Sequence, residues 1–277
     1  VATAAADAAT ARATLSTPRP VLVPCWAGRQ AKAVPKSADG AAEMIRQTKI
    51  ARDTARKAKT SAIITLKALI VTAPAELREQ LAGLSDKVLI DKCASLRPGA
   101  VTSPTASTKH SLRSLAKRFQ ALGAKIGEHD TLLDDLTRNH APTLRQGLGI
   151  GADTAAEMLI VFGDNPERVH SEAGFAKLCG ASPIPASSGM TNRHRLSRAG
   201  HREANAALYR AVIVRMRFHQ PTIDDVARRT TDGLSKRDII RCLKRYLARE
   251  VYQAVMTDHR APQDATSPRP PRRSLDL

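Results

Sequence analysis

The residues best suited to chemistry lie in one short stretch, Ser187-Ser188-Gly189, followed by Arg193, His194, Arg195, Arg198 and Arg202. A serine beside glycine, on a loop after Pro183 and Pro185, is exposed and sterically open. Serine alone is a weak nucleophile and needs a base, or strong stabilisation of charge on the group it attacks. Clustered arginines supply the second by clamping phosphoryl oxygens. Only Glu203 opposes this cluster. Such a block could support attack by Ser187 or Ser188 on a phosphodiester. From spacing alone, a basic DNA-contacting loop with incidental serines explains the same residues.

A second phosphate-binding pattern is Leu148-Gly149-Ile150-Gly151 ahead of Ala152-Asp153-Thr154-Ala155-Ala156. Two glycines permit a tight turn of the helix-hairpin-helix kind. Backbone N–H groups at the start of the second helix can then grip a DNA phosphate without reading bases. Asp153 is expected to cap that helix. An ordinary glycine-containing helix–helix loop also fits. Asp224 and Asp225 read as solvated acids near a helix start. Nothing in the spacing of Asp153, Asp164, Asp224 and Asp225 builds a shared metal cage.

The elements that must position these residues are helical. Hydrophobic residues make up 42% of the 277, but aromatics only 3%, so Ala and Leu carry the packing. Helix formers fill Ala41–Ala73, stopped by Pro74, and the basic residues Arg46, Lys49, Arg52, Arg56, Lys57 and Lys59 recur there at helical spacing. A helical stretch is predicted over 75–96 and a loop over 98–108. Leu112, Leu115, Phe119, Leu122, Ile126, His129, Leu133 and Leu136 then alternate steps of three and four, a heptad seam. His129 reads as a seam residue. The seam can close on the Ala41–Ala73 helix or on another subunit, and a homo-oligomer through this coiled coil is expected. Shorter helices are predicted over 152–162, 171–179, 198–218 and 234–257. The fold class is all-α: long coiled-coil helices, then a compact helical domain containing the hairpin turn.

Forty-four Lys and Arg against 26 Asp and Glu leave a net charge of +18, which calls for a polyanionic partner. Cys25, Cys93, Cys179 and Cys242 form no CxxC pair, and the eight histidines do not cluster. That argues against a zinc site or disulfide framework and for reduced thiols in the cytoplasm. No apolar run reaches about 18 residues, and no signal-peptide pattern opens the chain.

The block from Phe175 to Asn205, with Leu148–Ile160 ahead of it and Gly233–Tyr246 after it, resembles the C-terminal domain of IS110-type insertion-sequence transposases. The likeness extends over 41–257, coiled-coil helices included. It implies a DNA transposase and recombinase of a mobile element, in which the matching serine, Ser188, attacks the DNA backbone to give a phosphoserine link. Members join this domain to a RuvC-like domain whose four acids hold Mg²⁺, and act with a structured guide RNA. The run from Asp7 to Leu15 resembles the helix bearing the last acid, which makes Asp7 its relic.

The expected organisation is 1–40 as a RuvC-like remnant and connector, 41–140 as the coiled-coil region, 141–258 as the transposase domain and 259–277 as a disordered tail. The chain begins with Val1 and runs directly into the helix-like Ala4–Leu15. A truncated transposase is therefore expected, one that binds DNA through Gly149, Gly151, Arg193, His194, Arg195, Arg198 and Arg202, holds no Mg²⁺ by itself and is catalytically impaired alone. The alternatives are a non-catalytic DNA- or RNA-binding helical module, a coiled-coil assembly protein and a DNA-repair protein using the same hairpin.

Overall fold

The computed structural model describes residues 34–188, 194, 195, 197 and 199–266. Asp7, Cys25, Arg193 and Arg198 lie outside them, as does the chain beyond 266. The described residues are helical apart from one two-stranded ribbon. The expected all-α class is what the chain adopts.

Helices α1 (Ala41–Val71) and α4 (Pro104–His140) lie side by side. At 1.5 Å per residue they are about 46 and 55 Å long. The heptad seam is buried or half-buried at every position, with Leu112 and Leu133 fully enclosed. Its partner is α1 of the same chain. Two short helices, α2 (Ala75–Leu81) and α3 (Asp86–Ser95), replace the single stretch expected over 75–96. They close a core over one end of the pair, where Leu77, Leu81, Leu89, Ile90 and Cys93 meet Leu66 and Leu112. The loop expected over 98–108 ends early. Ser103 accepts a hydrogen bond from Ala106 N at 3.2 Å, and Pro104 occupies the first turn of α4, where its missing N–H costs nothing.

The second core is built around α6 (Ala152–Phe162), which buries Ala155, Ala156, Met158, Val161 and Phe162. A helix apolar nearly all round must be covered on several sides. On one side Ile45 of α1 and Leu133 of α4 pack against Ala156. On the others lie α5 (Pro142–Arg145), α7 (Glu172–Leu178), α8 (Arg202–Phe218) and α10 (Lys236–Thr266). Phe162 stacks on Phe175 with ring centroids 4.3 Å apart.

Helix α9 (Gln220–Thr231) lies outside the expected helices. His219 meets Thr222 Oγ1 at 2.8 Å where it starts, and Asp225 pairs within it to Arg228 and Arg229. Helix α10 continues to Thr266, past the expected end at 257 and into the segment expected to be disordered. Its last turns are held because Val255 is buried and Asp258 caps α5, accepting from Thr143 N at 2.9 Å and Leu144 N at 3.1 Å.

Charge fixes the junction between the long pair and the domain. Lys49 and Arg52, two of the basic residues that mark α1 in the sequence, turn inward and are buried. Lys49 Nζ lies 2.7 Å from Asp153 and 3.1 Å from buried Glu157, while Arg52 bonds Asp153 and reaches Asp130 of α4 at 3.1 Å. Asp153 also takes Arg210 of α8 at 2.9 Å. It is not the cap of α6, since Gly151 holds that position and Asp153 sits in the first turn. Asp164, just after α6, caps α1 instead, accepting from Ala42 N at 2.6 Å and Glu43 N at 3.3 Å.

Burial works to raise the pKa of Asp153, but hydrogen bonds and charge from Lys49 and Arg52 outweigh it and bring it down to about 2. A depressed carboxylate stabilises the fold fully above its unfolded value, and that contribution is lost as the pH falls from 3.8 toward about 2. Asp153→Ala removes the carboxylate that Lys49 and Arg52 share but leaves them Glu157 and Asp130, and is expected to cost about 1–2 kcal/mol at neutral pH, read by urea unfolding. The variant should also lose part of the wild-type acid sensitivity in that window.

Candidate nucleic-acid interface

The Ser187–Ser188 segment belongs to a hairpin. Strand β1 (Ile184–Pro185) pairs antiparallel with β2 (His194–Arg195), with Ile184 opposite Arg195 and Pro185 opposite His194. Ser187 and Ser188 follow β1 directly, and both are exposed, as are His194 and Arg195. The structure thus brings the candidate nucleophiles and two of the predicted basic residues onto one ribbon.

The base of this segment is clamped. Gly180 adopts φ +63°, and a Cβ on Gly200 would stand 2.1 Å from Gly180 N, so the two backbones touch. His201 N–H donates to Leu178 O at 2.6 Å. Asn205 Nδ2 donates to Cys179 O and Gly180 O, both at 2.9 Å, and its Oδ1 accepts from Lys244 Nζ at 2.9 Å. His201 caps α8 by accepting from Ala204 N at 3.3 Å, which leaves Arg202 exposed at the helix start.

Beside the hairpin lies a cleft of about 780 Å³, lined by the 180–183 turn, His194, Arg195 and the first turns of α10. Arg241, Lys244 and Arg245 add to its positive charge, with Asp238 as the acid among its lining residues. Asp238 binds Arg241 at 2.7 Å and Ser235 Oγ at 2.5 Å. Sequence reasoning missed the three α10 cations as site residues. The available signal was Arg237, Arg241, Arg245 and Arg249 at steps of four, one face of a helix.

The other predicted contact is separate. Gly149 has φ +82°, and a Cβ there would lie 2.9 Å from Ala211 O of α8. Arg215 Nε donates to Leu148 O at 2.8 Å. The turn is thus docked on α8 nine residues beyond Arg202 (211 − 202), about 13 Å along the axis. Gly149 is required by this close approach, whatever the turn binds. Gly151 caps α6, whose first turn carries the Asp153 ion network.

Cys179 is buried and its thiol is pushed up to about 12 by burial, so it remains protonated. Among the described residues, no three His, Cys, Asp or Glu side chains gather as a metal site. No described helix is long and apolar enough to cross a membrane.

Residues 141–228 match the sequence model of the Transposase IS116/IS110/IS902 family. Over this stretch the chain is similar to that family. The match runs from α5 into α9 and contains both strands of the hairpin, whereas the α10 wall of the cleft lies beyond it. No curated protein matches the chain.

Within the matched segment, Gly200→Ala forces a methyl group onto the backbone of Gly180. We expect a loss of about 1–3 kcal/mol in thermal or urea unfolding, because neither backbone can move without opening the clamp. Gly83→Ala, where a Cβ meets nothing within 4 Å but φ is +70°, serves as a control for backbone strain alone.

Proposed function

We propose that the chain acts on DNA as an insertion-sequence transposase, with Ser188 as nucleophile and Ser187 as the second candidate. The observation that carries this reading is the transposase-family match over 141–228, which includes an exposed Ser-Ser hairpin beside a cationic cleft. Ser188 Oγ attacks a backbone phosphorus, a serine–phosphate ester forms, and the bond from phosphorus to one deoxyribose oxygen breaks. The hydroxyl proton is lost and the departing oxygen gains one. His194, Arg195 and Arg202, with Arg193 and Arg198, steady the phosphoryl oxygens. The turn at Gly149 and Gly151 supplies a second, sequence-neutral phosphate contact.

Mg²⁺ belongs to this reading through the acids of a RuvC-like domain, which the described residues do not supply. A structured RNA is a further partner by resemblance. Self-association through the α4 seam, the other partner expected of this chain, would compete with α1.

The test is a protein–DNA adduct on a denaturing gel, using element-end DNA, guide RNA and Mg²⁺. Loss of the adduct in Ser188→Ala and its retention in Ser187→Ala is the expected result, and the reverse reassigns the nucleophile. Salt-sensitive binding with no adduct in any protein would instead favour a non-catalytic binding module. In filter binding, Arg195→Ala should reduce the slope of log affinity against log salt by about one.

A further inference from the structure

Lys244 is buried to within 5% of its surface, yet no carboxylate among the described residues pairs with it. Its partner is the neutral amide of Asn205 at 2.9 Å. An ammonium has three donors, so two remain unassigned, and the residue lines the cleft. Arg245, on the same wall, buries Nη1 with no hydrogen-bond partner. Its other terminal nitrogen, Nη2, meets Glu172 at 3.3 Å. Arg241 is balanced by Asp238. Burial, with the nearby charge of Arg241, pulls the Lys244 pKa down, as expected for a cation lacking an anion.

Lys244 is thus a buried cation without a carboxylate, and Arg245, although paired with Glu172, keeps one terminal nitrogen unbonded, so an anion reaching both would complete them. We infer that Lys244 and Arg245 form a preformed phosphate subsite in the α10 wall, which takes one backbone phosphodiester of the strand presented to the Ser187–Ser188 hairpin. This rests on the transposase reading and deepens it. The subsite adds a non-reacting phosphate contact outside the family-matched segment. Lys244 is also a positioning residue: its bond to Asn205 reaches the amide that holds Cys179 O and Gly180 O at the hairpin base. Phosphate on Lys244 therefore bears directly on the clamp that sets the ribbon.

The test is thermal unfolding of the full chain in inorganic phosphate against chloride at equal ionic strength, followed by binding of a single-stranded oligonucleotide. Wild type should gain stability specifically with phosphate. Lys244→Met should be more stable than wild type without phosphate, by on the order of 2–4 °C, and should lose the phosphate-dependent rise. Its oligonucleotide affinity should fall roughly tenfold. Should Lys244→Met fail to fold, Arg245→Gln is the second variant, and its phosphate-dependent rise should shrink. No phosphate-specific rise in wild type, or a full rise in the variant that folds, overturns the proposal. A Ser188 adduct without that rise would refute the subsite and leave the nucleophile standing. The rise without an adduct would do the converse.

Discussion

Two cations of α1 that are removed from water have to meet carboxylates, and the arrangement of the rest follows from where they do so. Lys49 and Arg52 find Asp153 and Glu157 on α6 and Asp130 on α4. An ion pair of this kind is not a large source of net stability, but breaking it is costly, so it selects one docking geometry over others. With α1 and α4 set on one side, α6 leaves its other faces to α5, α7, α8 and α10. Helix α8 is then placed to anchor the hairpin at its first residues and the Gly149 turn at its middle.

The cationic cleft is assembled from three stretches distant in sequence: the turn after α7, the second strand of the hairpin and the start of α10. Its positive charge is not an average property of a basic chain. Much of that charge is cancelled locally: Arg215 by Glu250, Arg249 by Glu172, Arg228 and Arg229 by Asp225. What distinguishes the cleft wall is that Lys244 has an amide and no described carboxylate as its partner, while Arg245, paired with Glu172, leaves Nη1 unbonded. Helices α8 and α10 meet there through a lysine–amide bond, which is weaker than an ion pair and open to a competing anion.

Much of the helical architecture could be read from periodicity. The steps of three and four from Leu112 to Leu136 announce a seam, but the pattern carries no information on which helix fills it. Spacing is equally silent on α1, where Lys49 and Arg52 follow a basic helical repeat yet face inward. Only the position of Asp153, about a hundred residues away, decides that. Gly149 looked like a phosphate-binding glycine, and its close approach to Ala211 requires a glycine for another reason. The serine–arginine block was visible because its residues are adjacent in sequence. The α10 wall was not, since its cations join the hairpin only after folding.

The contact between Gly180 and Gly200 has a further consequence. Much of the entropy of bringing the ends of the intervening segment together is already lost in the folded protein, and that cost grows with the logarithm of the loop length. The fold itself thus meets the cost of closure, so lengthening the stretch between the two glycines should lower stability only logarithmically.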